Sequence, residues 1–252
     1  MLDTISPNFL LVSKPVGWTS FDVVNYIRKE ARAKTGNKNI KVGHAGTLDP
    51  FATGLLIVGI GREATKRLDE FKGMKKTYVA TIHLGAVSDT QDVTGIITPY
   101  ISAVIPTSQE ESLLVHQPTE ISPPGRDDIL PLEIVNTALK TFVGTQLQTP
   151  PMHSAKKIGG QRLYTLARQG KEVERQPNKI EIYEIKLLGY NWPLLKIEVS
   201  CSPGTYIRTL AYDIGEKLGV GAYCEALERT RIGTFTLEQA TTVDNFKLED
   251  VQ

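Results

Sequence analysis

The segment GHAGTLDPFATG, residues 43–54, places a histidine and an aspartate among small residues. Three interpretations of Asp49 compete. It could cap a helix, because an aspartate followed by Pro50 is typical of a helix N-terminus. It could bind a metal together with His44, although no third ligand of suitable spacing is evident. It could also be a catalytic carboxylate in a glycine-rich loop that a substrate approaches closely. These residues alone do not separate the first interpretation from the third.

The composition is that of a globular protein with one large domain. The chain has 252 residues, of which 40% are hydrophobic and 23% charged, as in folded soluble domains. No run approaches the ~18 apolar residues of a membrane helix, and the N-terminus lacks the pattern of a signal peptide. Cys201 and Cys224 form no CxxC motif, which argues against a disulfide framework and a zinc site. A reducing, cytoplasmic location is therefore expected.

Charge is distributed unevenly, although the net charge is only +1. Segment 101–130 is acidic and proline-rich, and it offsets two basic segments in the total. The basic residues are Arg62, Lys66, Arg67, Lys72, Lys75 and Lys76 in the first segment, and Lys156, Lys157, Arg162, Arg168, Lys171 and Arg175 in the second. Local positive surface is what binding to a phosphate backbone requires. Solvated helix and loop faces are the alternative interpretation.

Hydrophobic periodicity predicts the elements that must position Asp49. Apolar runs or period-two alternation predict strands at 9–12, 54–61, 77–85, 179–188 and 193–202. Helices are predicted after a cap at Thr19 or Ser20, at 131–143, at 161–169, and from Thr205 or Tyr206 to Leu218. The first helix is predicted to bury Phe21, Val24, Ile27 and Ala31.

This order of elements lacks a regular alternation of strands and helices, which favours an α+β fold over a doubly wound sheet. GIGRE at 59–63 does not match the dinucleotide fingerprint GxGxxG, and the chain carries no Walker sequence. A nucleotide cofactor is therefore not expected.

Five ordered blocks of the chain resemble the TruB family of bacterial tRNA pseudouridine synthases. The block GHAGTLDPFATGLLIVGIGREATK, at 43–66, is similar to the catalytic motif of that family. The other blocks are LLVSKPVGWTSFDVV (10–24), KKTYVATIHLGAVSDTQDVTG (75–95), PPMHSAKKIGGQRLYTLARQGKEVER (150–175) and CSPGTYIRTLAYDIGEKLGVGAYCEALERTRIGTF (201–235). Together the blocks cover most of the chain apart from 96–147.

The resemblance implies that the protein isomerises one uridine in the T-loop of tRNA, breaking the N-glycosidic bond and rejoining the base through C5. Asp49 matches the nucleophile, which attacks either the sugar or the base. Tyr78 matches the tyrosine that packs on the target base and takes part in removing the C5 proton. Arg208 matches the arginine that pairs with the nucleophile. His44 matches the histidine that holds the flipped-out T-loop, and Asp92 an acidic residue that supports the site.

The resemblance also implies a wider RNA-binding surface, and neither a cofactor nor a metal. The other expected substrate-binding residues are Gly43, Gly46, Thr47, Lys76, His153, Lys156, Arg162, Tyr183 and Leu227. Residues 148–178 are expected to form a thumb-like insertion whose basic side chains meet phosphates of the T-arm. His153 stands where the family block usually has tyrosine, and it keeps the capacity to stack or hydrogen-bond.

The expected architecture is a catalytic domain over residues 1–252 with the pseudouridine synthase fold. In this α+β fold a mixed, mainly antiparallel central sheet is flanked by helices and loops, and 101–130 would be a surface excursion. The C-terminal PUA-type domain of many bacterial members is expected to be absent or truncated, because the chain stops at Gln252. We expect a monomer that binds tRNA and no membrane.

Two other functions stay open. A non-catalytic tRNA-binding or folding factor would keep the same surface, but it would not need Asp49, Tyr78 and Arg208 together. A synthase of the guide-dependent eukaryotic and archaeal type would act on another RNA. The short chain and the bacterial style of the blocks favour tRNA as the substrate.

Overall fold

The computed structural model of the protein describes residues 8–100 and 130–243. Within these ranges the helices are α1 (Ser20–Thr35), α2 (Arg62–Lys72), α3 (Leu132–Lys140), α4 (Leu163–Ala167) and α5 (Ile207–Leu218). The strands are β1 (Phe9–Lys14), β2 (Val42–His44), β3 (Thr53–Ile60), β4 (Lys76–Leu84), β5 (Ala86–Ser88), β6 (Ile97–Pro99), β7 (Gly144–Gln148), β8 (Lys157–Ile158), β9 (Gln161–Arg162), β10 (Asn178–Asn191), β11 (Leu194–Cys201), β12 (Ala222–Ile232), β13 (Phe235–Thr236) and β14 (Thr241–Thr242).

One mixed sheet dominates the fold. Its order is β14-β1-β3-β12-β4-β11-β10-β7, with β2 paired to β3 and β13 paired to β12. The β1–β14 and β3–β12 pairs are parallel, and the other pairs of this sheet are antiparallel. The β5–β6 and β8–β9 pairs stand apart from it. A mixed, mainly antiparallel sheet packed with helices confirms the predicted α+β fold class.

Helix α1 begins at one of the two predicted cap residues. Thr19 is the N-cap: its hydroxyl accepts a bond from the Asp22 amide at 3.1 Å, and the Asp22 carboxylate accepts one from the Thr19 amide at 2.8 Å. This reciprocal pair is a capping box. Gly36 closes the helix in left-handed backbone with φ 68°. The prediction that Phe21 is buried is wrong, because the buried stripe runs through Val23 and leaves Phe21 58% exposed.

Strand β3 is buried on both faces because a helix covers each side of it. Leu56, Val58 and Ile60 pack with α1, whereas Leu55 and Ile57 pack with α2. This arrangement explains the unbroken apolar run of the predicted strand at 54–61. The sequence pattern at α2 indicated only a basic segment, because charged residues outnumber the buried ones there.

Besides the two clusters on either face of β3, a third hydrophobic cluster supports the loop that carries Asp49. Helices α3 and α5 pack with strands β4, β10, β11 and β12, and Leu48 and Phe51 from the loop join the same cluster. Burying such side chains stabilises the fold by about 1.5–3 kcal/mol each. The residues on either side of Asp49 are therefore part of the hydrophobic core.

Several predicted boundaries shift. The helix predicted at 131–143 ends at Lys140, and Gly144 opens β7 instead of closing the helix. The helix predicted at 161–169 is shortened to α4, since Gln161 and Arg162 pair in a hairpin. The predicted excursion at 101–130 lies outside the described residues apart from Leu130. None of the helices within the described ranges is long and apolar enough to cross a membrane.

Candidate active site

Asp49 lies in a loop between β2 and β3 that the N-terminal segment holds in place. Lys14, at the end of β1, is completely buried, and its ammonium group donates to the carbonyls of Pro15, Trp18 and Pro50. A buried charge without such partners would be costly. Burial lowers the pKa of Lys14 to about 8, and the nearby Asp49 carboxylate opposes this shift. Lys14 thus fixes the backbone that follows Asp49.

Ser20 and Gly17 fix the same loop from its other side. The Ser20 hydroxyl accepts a hydrogen bond from the Leu48 amide at 2.8 Å and donates one to the Leu48 carbonyl at 3.2 Å. The Gly17 amide donates to the Pro50 carbonyl at 2.8 Å. Gly17 has φ 81°, a conformation that favours glycine. The segment KPVGWTS (14–20) therefore holds the Asp49 loop in place.

The helix-cap interpretation of Asp49 is wrong. The Asp49 carbonyl accepts a bond from the Ala52 amide at 3.1 Å, so the chain makes one turn after Asp49 and enters β3 without forming a helix. The metal interpretation gains no support either, since no group of three or more His, Cys, Asp or Glu side chains in 8–100 and 130–243 could hold an ion.

Arg208, near the start of α5, forms an ion pair with Asp49, with 2.9 Å between Nε and Oδ2. Its other nitrogens donate to the Asp92 carboxylate at 3.0 Å and to the carbonyls of Thr90 and His153 at 2.9 and 2.8 Å. The side chain of Arg208 is 3% exposed and that of Asp92 is 5% exposed, against 35% for Asp49. The planar guanidinium is therefore fixed from the interior, and Asp49 is the accessible carboxylate.

The loop after β5 places Asp92 against this guanidinium. The Oδ1 atom of Asp92 accepts bonds from the Thr90 hydroxyl at 2.8 Å and the Thr94 amide at 2.9 Å. Gln91 adopts a left-handed φ of 63°, which is uncommon for a residue other than glycine. Its side-chain oxygen accepts a bond from the Thr209 hydroxyl at 2.8 Å, which ties the loop to α5.

Opposing effects act on the pKa of Asp49. Burial raises this pKa, the Arg208 charge lowers it, and the Asp92 charge raises it again. The net result is a pKa above the ordinary value of an aspartate. Arg208 therefore limits the rise and favours the ionised carboxylate in surroundings that work against a charge.

Tyr78 and Arg229 face each other on β4 and β12. Arg229 is 1% exposed and donates from Nε to the Leu55 carbonyl at 2.8 Å and from Nη2 to the Gly46 carbonyl at 3.1 Å. It thereby joins the Asp49 loop to two strands. Burial raises the pKa of the Tyr78 phenol, and the charge of Arg229 opposes this rise. The phenol is consequently protonated at neutral pH.

A pocket of about 340 Å³ opens over Asp49, a size that suits a small polar ring. Its lining residues are Gly46, Thr47, Leu48, Asp49, Lys72, Lys76, Tyr78, Ser154, Ala155, Ser202, Gly204, Thr205, Tyr206, Ile207, Arg208, Leu227 and Arg229. Of the predicted site residues, the pocket brings together Gly46, Thr47, Asp49, Lys76, Tyr78, Arg208 and Leu227. A larger pocket of about 500 Å³ between α1 and α2 contains no predicted site residue.

His44 and Gly43 lie on β2, outside the lining of this pocket. The His44 Nδ1 atom is buried and has no hydrogen-bond partner within the described residues. Burial lowers the pKa of His44, so the ring is neutral at neutral pH. A Cβ atom on Gly43 would lie 3.0 Å from a methyl carbon of Leu68. The glycine is therefore explained by close packing against α2.

The segment predicted to be an insertion, 148–178, contains the β8–β9 hairpin and α4, and its Ser154 and Ala155 line the pocket. Lys156 donates to the Asn178 side chain at 2.8 Å, and Arg162 donates to the Tyr164 hydroxyl at 3.0 Å. The guanidinium carbons of Arg162 and Arg168 each lie 5.7 Å from the centre of the Tyr164 ring. The exposed basic residues of the insertion are Lys157, Arg162, Arg168 and Lys171.

The basic segment at 62–76 is largely neutralised within α2. The intrahelical ion pairs are Lys66–Glu63 at 2.8 Å, Arg67–Glu70 at 2.9 Å and Lys72–Asp69 at 2.7 Å. Lys76 is buried and donates to carbonyls at the end of α2. Lys66, Arg67 and Lys72 are thus paired with carboxylates, whereas Arg175, 3.3 Å from Glu172, is the one basic residue of 148–178 with such a partner among the described residues.

The structure does not bring Tyr183 to the pocket. Tyr183 lies on β10, two strands from β4, and is 43% exposed. Tyr206 lines the pocket instead, and sequence analysis missed it together with Lys14, Ser154 and Arg229. All four lie within the family-like blocks, which is the signal that could have identified them. An arginine in an alternating strand such as ERTRI otherwise indicates a solvent-facing position.

Family models match nearly the whole chain. Residues 32–117 and 119–207 match the TruB family pseudouridylate synthase (N terminal domain). Residues 208–252 match the tRNA pseudouridylate synthase B C-terminal domain.

Relatives and solved structures agree with these matches. The chain is 45% identical to tRNA pseudouridine synthase B of Parabacteroides distasonis over 99% of this chain and 97% of the relative. It is 46% identical to tRNA pseudouridine synthase B of Bacteroides fragilis over 91% and 88%, respectively. A Cbf5-Nop10-Gar1 complex is similar with TM-score 0.64 and 26% identity, over 95% of this chain and 54% of that chain. An H/ACA RNP bound to a substrate RNA, with TM-score 0.61 and 24% identity over 94% and 51%, shows the fold alone.

Proposed function

The chain belongs to the TruB family of pseudouridylate synthases, and from this membership we propose that it isomerises the uridine at position 55 in the T-loop of tRNA. The observation that carries the proposal is the ion pair between Asp49 and Arg208, 2.9 Å long, in a pocket that Tyr78 also lines. An accessible carboxylate beside a fixed guanidinium suits a nucleophile, and an aromatic side chain suits a base that is flipped out of the RNA.

Asp49 is the nucleophile of the proposed reaction: its carboxylate bonds transiently to the sugar or to the base, and this bond breaks again before the product leaves. The bond between N1 and C1′ breaks, a bond between C5 and C1′ forms, the proton leaves C5, and N1 gains a proton. Atoms and electrons balance without a redox partner. The Arg208 guanidinium keeps the carboxylate ionised and directs its accessible oxygens toward the pocket, while Asp92 and two carbonyls prevent the guanidinium from turning.

Tyr78 packs on the target base. Stacking of a base on an aromatic ring contributes roughly 1–3 kcal/mol in comparable sites. The raised pKa of the Tyr78 phenol keeps it protonated at neutral pH. This protonation state supports the stacking role better than a role as the base that removes the C5 proton.

The insertion at 148–178 provides the electrostatic contacts with the T-arm. The guanidinium groups of Arg162 and Arg168 each lie 5.7 Å from the centre of the Tyr164 ring, and both residues are exposed. A phosphate beside them would accept their hydrogen bonds and offset their charge. Lys157 and Lys171 extend the same exposed positive surface. A monomeric enzyme located in the cytoplasm completes the proposal.

Unmodified tRNA provides the direct test. After incubation with the protein, pseudouridine is mapped at single-nucleotide resolution, and one new site in the T-loop is expected. Modification at another uridine would overturn the proposed specificity, and absence of pseudouridine would overturn the proposed activity. An isolated T-arm stem–loop, tested in parallel, should also be modified, because the pocket and the insertion are proposed to contact only that arm.

A further inference from the structure

Ser154 carries a buried hydroxyl group without a hydrogen-bond partner at the pocket over Asp49. The residue is 4% exposed and lines the pocket. Its Oγ atom is buried, and residues 8–100 and 130–243 offer it no hydrogen bond. Buried hydroxyl groups are normally paired, because burial without a partner costs free energy. An unpaired hydroxyl at a substrate pocket therefore points to a partner on the substrate.

The backbone on both sides of Ser154 is anchored. The carbonyl of the preceding residue, His153, accepts a hydrogen bond from Arg208 at 2.8 Å. The carbonyl of Ser154 itself accepts one from the Tyr164 amide at 3.0 Å. The serine is thus tied to the guanidinium that holds Asp49 and also to the insertion. Moving the backbone of Ser154 would break one of these bonds.

The neighbouring hydroxyl groups of the pocket differ from that of Ser154. The Ser202 hydroxyl accepts a bond from the Glu181 amide at 2.9 Å. The Thr205 hydroxyl donates to the Ser202 carbonyl at 3.0 Å. Both hydroxyl groups already bond the local backbone, so neither is a buried group that lacks a partner. Ser154 is the pocket serine whose hydroxyl has no such duty within the described residues.

We propose that the Ser154 hydroxyl hydrogen-bonds the edge of the target base while that base turns over in the pocket. The inference rests on the proposed function. Uridine becomes pseudouridine when the detached ring turns about the line through N3 and C6, so that C5 takes the place of N1 and the two carbonyl groups exchange places. The ring edge that presented C5–H before the turn presents N1–H, a hydrogen-bond donor, after it.

A serine hydroxyl meets both situations by rotation of its side chain, which brings the buried Ser154 oxygen to the ring edge without backbone movement. It donates to a ring carbonyl in one orientation and accepts from an N–H group in another, because rotation about the Cβ–Oγ bond redirects its proton. A hydroxyl already engaged by the protein would first have to give up a bond. The unpaired state of Ser154 in the free protein is therefore the feature that this role requires.

Substitution of Ser154 tests the proposal because function and stability should respond differently. Ser154→Ala and Ser154→Cys should each lower kcat/KM for pseudouridine formation by about tenfold, the effect of one lost hydrogen bond. The midpoint of urea unfolding of the free Ser154→Ala protein should stay unchanged or rise, since removing an unpaired buried hydroxyl removes a desolvation cost.

Ser200→Ala is the matched control. Ser200 is also buried, but its hydroxyl lies 3.4 Å from that of Thr77, and it does not line the pocket. Its substitution should lower the unfolding midpoint and leave kcat/KM unchanged. If both Ser154 variants keep the wild-type kcat/KM, or if their loss of activity follows a lowered unfolding midpoint, the proposal is overturned.

Binding to T-arm stem–loops that carry uridine or pseudouridine locates the contact when it is measured in the inactive Asp49→Asn background, where the uridine is not converted. Ser154→Ala should weaken binding of the pseudouridine stem–loop more than that of the uridine stem–loop, because only the product offers N1–H. Equal weakening would place the hydroxyl on the sugar–phosphate backbone and overturn the assignment to the base edge. Failure of the wild-type protein to form any pseudouridine would instead overturn the proposed function, which separates the two outcomes.

Discussion

The pocket around Asp49 and the insertion at 148–178 both contain several cations, but they place them in different surroundings. In and around the pocket, Lys14, Arg208 and Arg229 are buried, and each is hydrogen-bonded to backbone carbonyls. In the insertion, Lys157, Arg168 and the other basic residues named above are exposed, although Arg162 and Arg168 also contact Tyr164. The buried cations hold backbone and set pKa values, whereas the exposed cations are available to an external anion.

This difference predicts that substitutions in the two regions will depend differently on salt concentration. Interactions of buried charges are screened little by salt, so damage in the pocket should appear as lost catalysis or stability at any ionic strength. Interactions of exposed charges with phosphates weaken steeply as salt rises. Each of the following experiments tests whether the two regions are as separate as their burial suggests.

The largest effect is expected from Asp49→Asn. Asparagine keeps the shape of the side chain but is not a nucleophilic carboxylate, so pseudouridine formation should fall by at least about a thousandfold. Affinity for tRNA should change less than about twofold, since phosphate contacts are assigned to the insertion. Rate assays and filter binding on the same preparation give both numbers. A variant with substantial activity would disprove the nucleophile assignment.

A smaller but pH-dependent effect is expected from Arg208→Lys. Lysine lacks the planar fork that reaches two carboxylates and two carbonyls, and the rate at neutral pH should fall by about a hundredfold. Activity needs ionised Asp49, whose pKa is already raised, so wild-type activity is lost as pH falls through that value. Because lysine would lower the pKa of Asp49 less than arginine does, the variant should lose activity at a higher pH than the wild type. A pH–rate profile with an unmoved limb would contradict the assignment.

Replacing a glycine by alanine should destabilise the closely packed region near Arg229 more than the exposed insertion. Gly54 has φ 104°, and a Cβ atom there would lie 2.4 Å from the Arg229 carbonyl oxygen. Gly54→Ala should therefore cost about 3 kcal/mol or more in the free energy of unfolding. Gly170 in the insertion also has positive φ, 69°, but meets nothing within 4 Å, so Gly170→Ala should cost only about 1 kcal/mol. If urea unfolding shows the same loss of unfolding free energy for both variants, backbone strain alone accounts for the two effects.

The smallest effect is expected from Lys171→Ala in the insertion. Binding of tRNA at low salt should weaken by a few-fold, and the slope of log affinity against log salt should decrease by about one unit. The turnover rate at saturating tRNA should not change. Lys66→Ala is the matched control, because Lys66 is paired with Glu63 within α2. A comparable salt effect in the control would show that α2 also contacts phosphates.

Local sequence patterns predicted the elements whose burial repeats regularly. Strand β4 and the start of helix α1 were correctly placed, because period-two alternation and a capping hydroxyl are local signals in the sequence. Helix α2 was missed because its many charged residues obscure the few buried ones, Ala64, Leu68 and Phe71. Strand β12 was missed because its two register shifts against β4 interrupt the alternation.

The site was predictable only through motifs that are distant in sequence. The residues around Asp49 did not separate a helix cap from a catalytic carboxylate, and the blocks containing Tyr78 and Arg208 decided between them. The contacts of Arg229 with Gly46 and Leu55 could not be predicted, because they depend on how β12 pairs within the sheet. Ser154 could not be recognised either, since an unpaired hydroxyl is a property of the folded pocket.

The parallel pairing of β3 with β12 also constrains the order of folding. Glu228 and Arg229 pair with Thr53 and Gly54, which lie far earlier in the chain. Closing so long a loop is entropically unfavourable until other contacts compensate. The Asp49 loop therefore lacks its Arg229 bond until β12 has emerged and docked. Catalytic activity should accordingly be a late marker of folding, absent from intermediates that have already formed β1, α1 and β3.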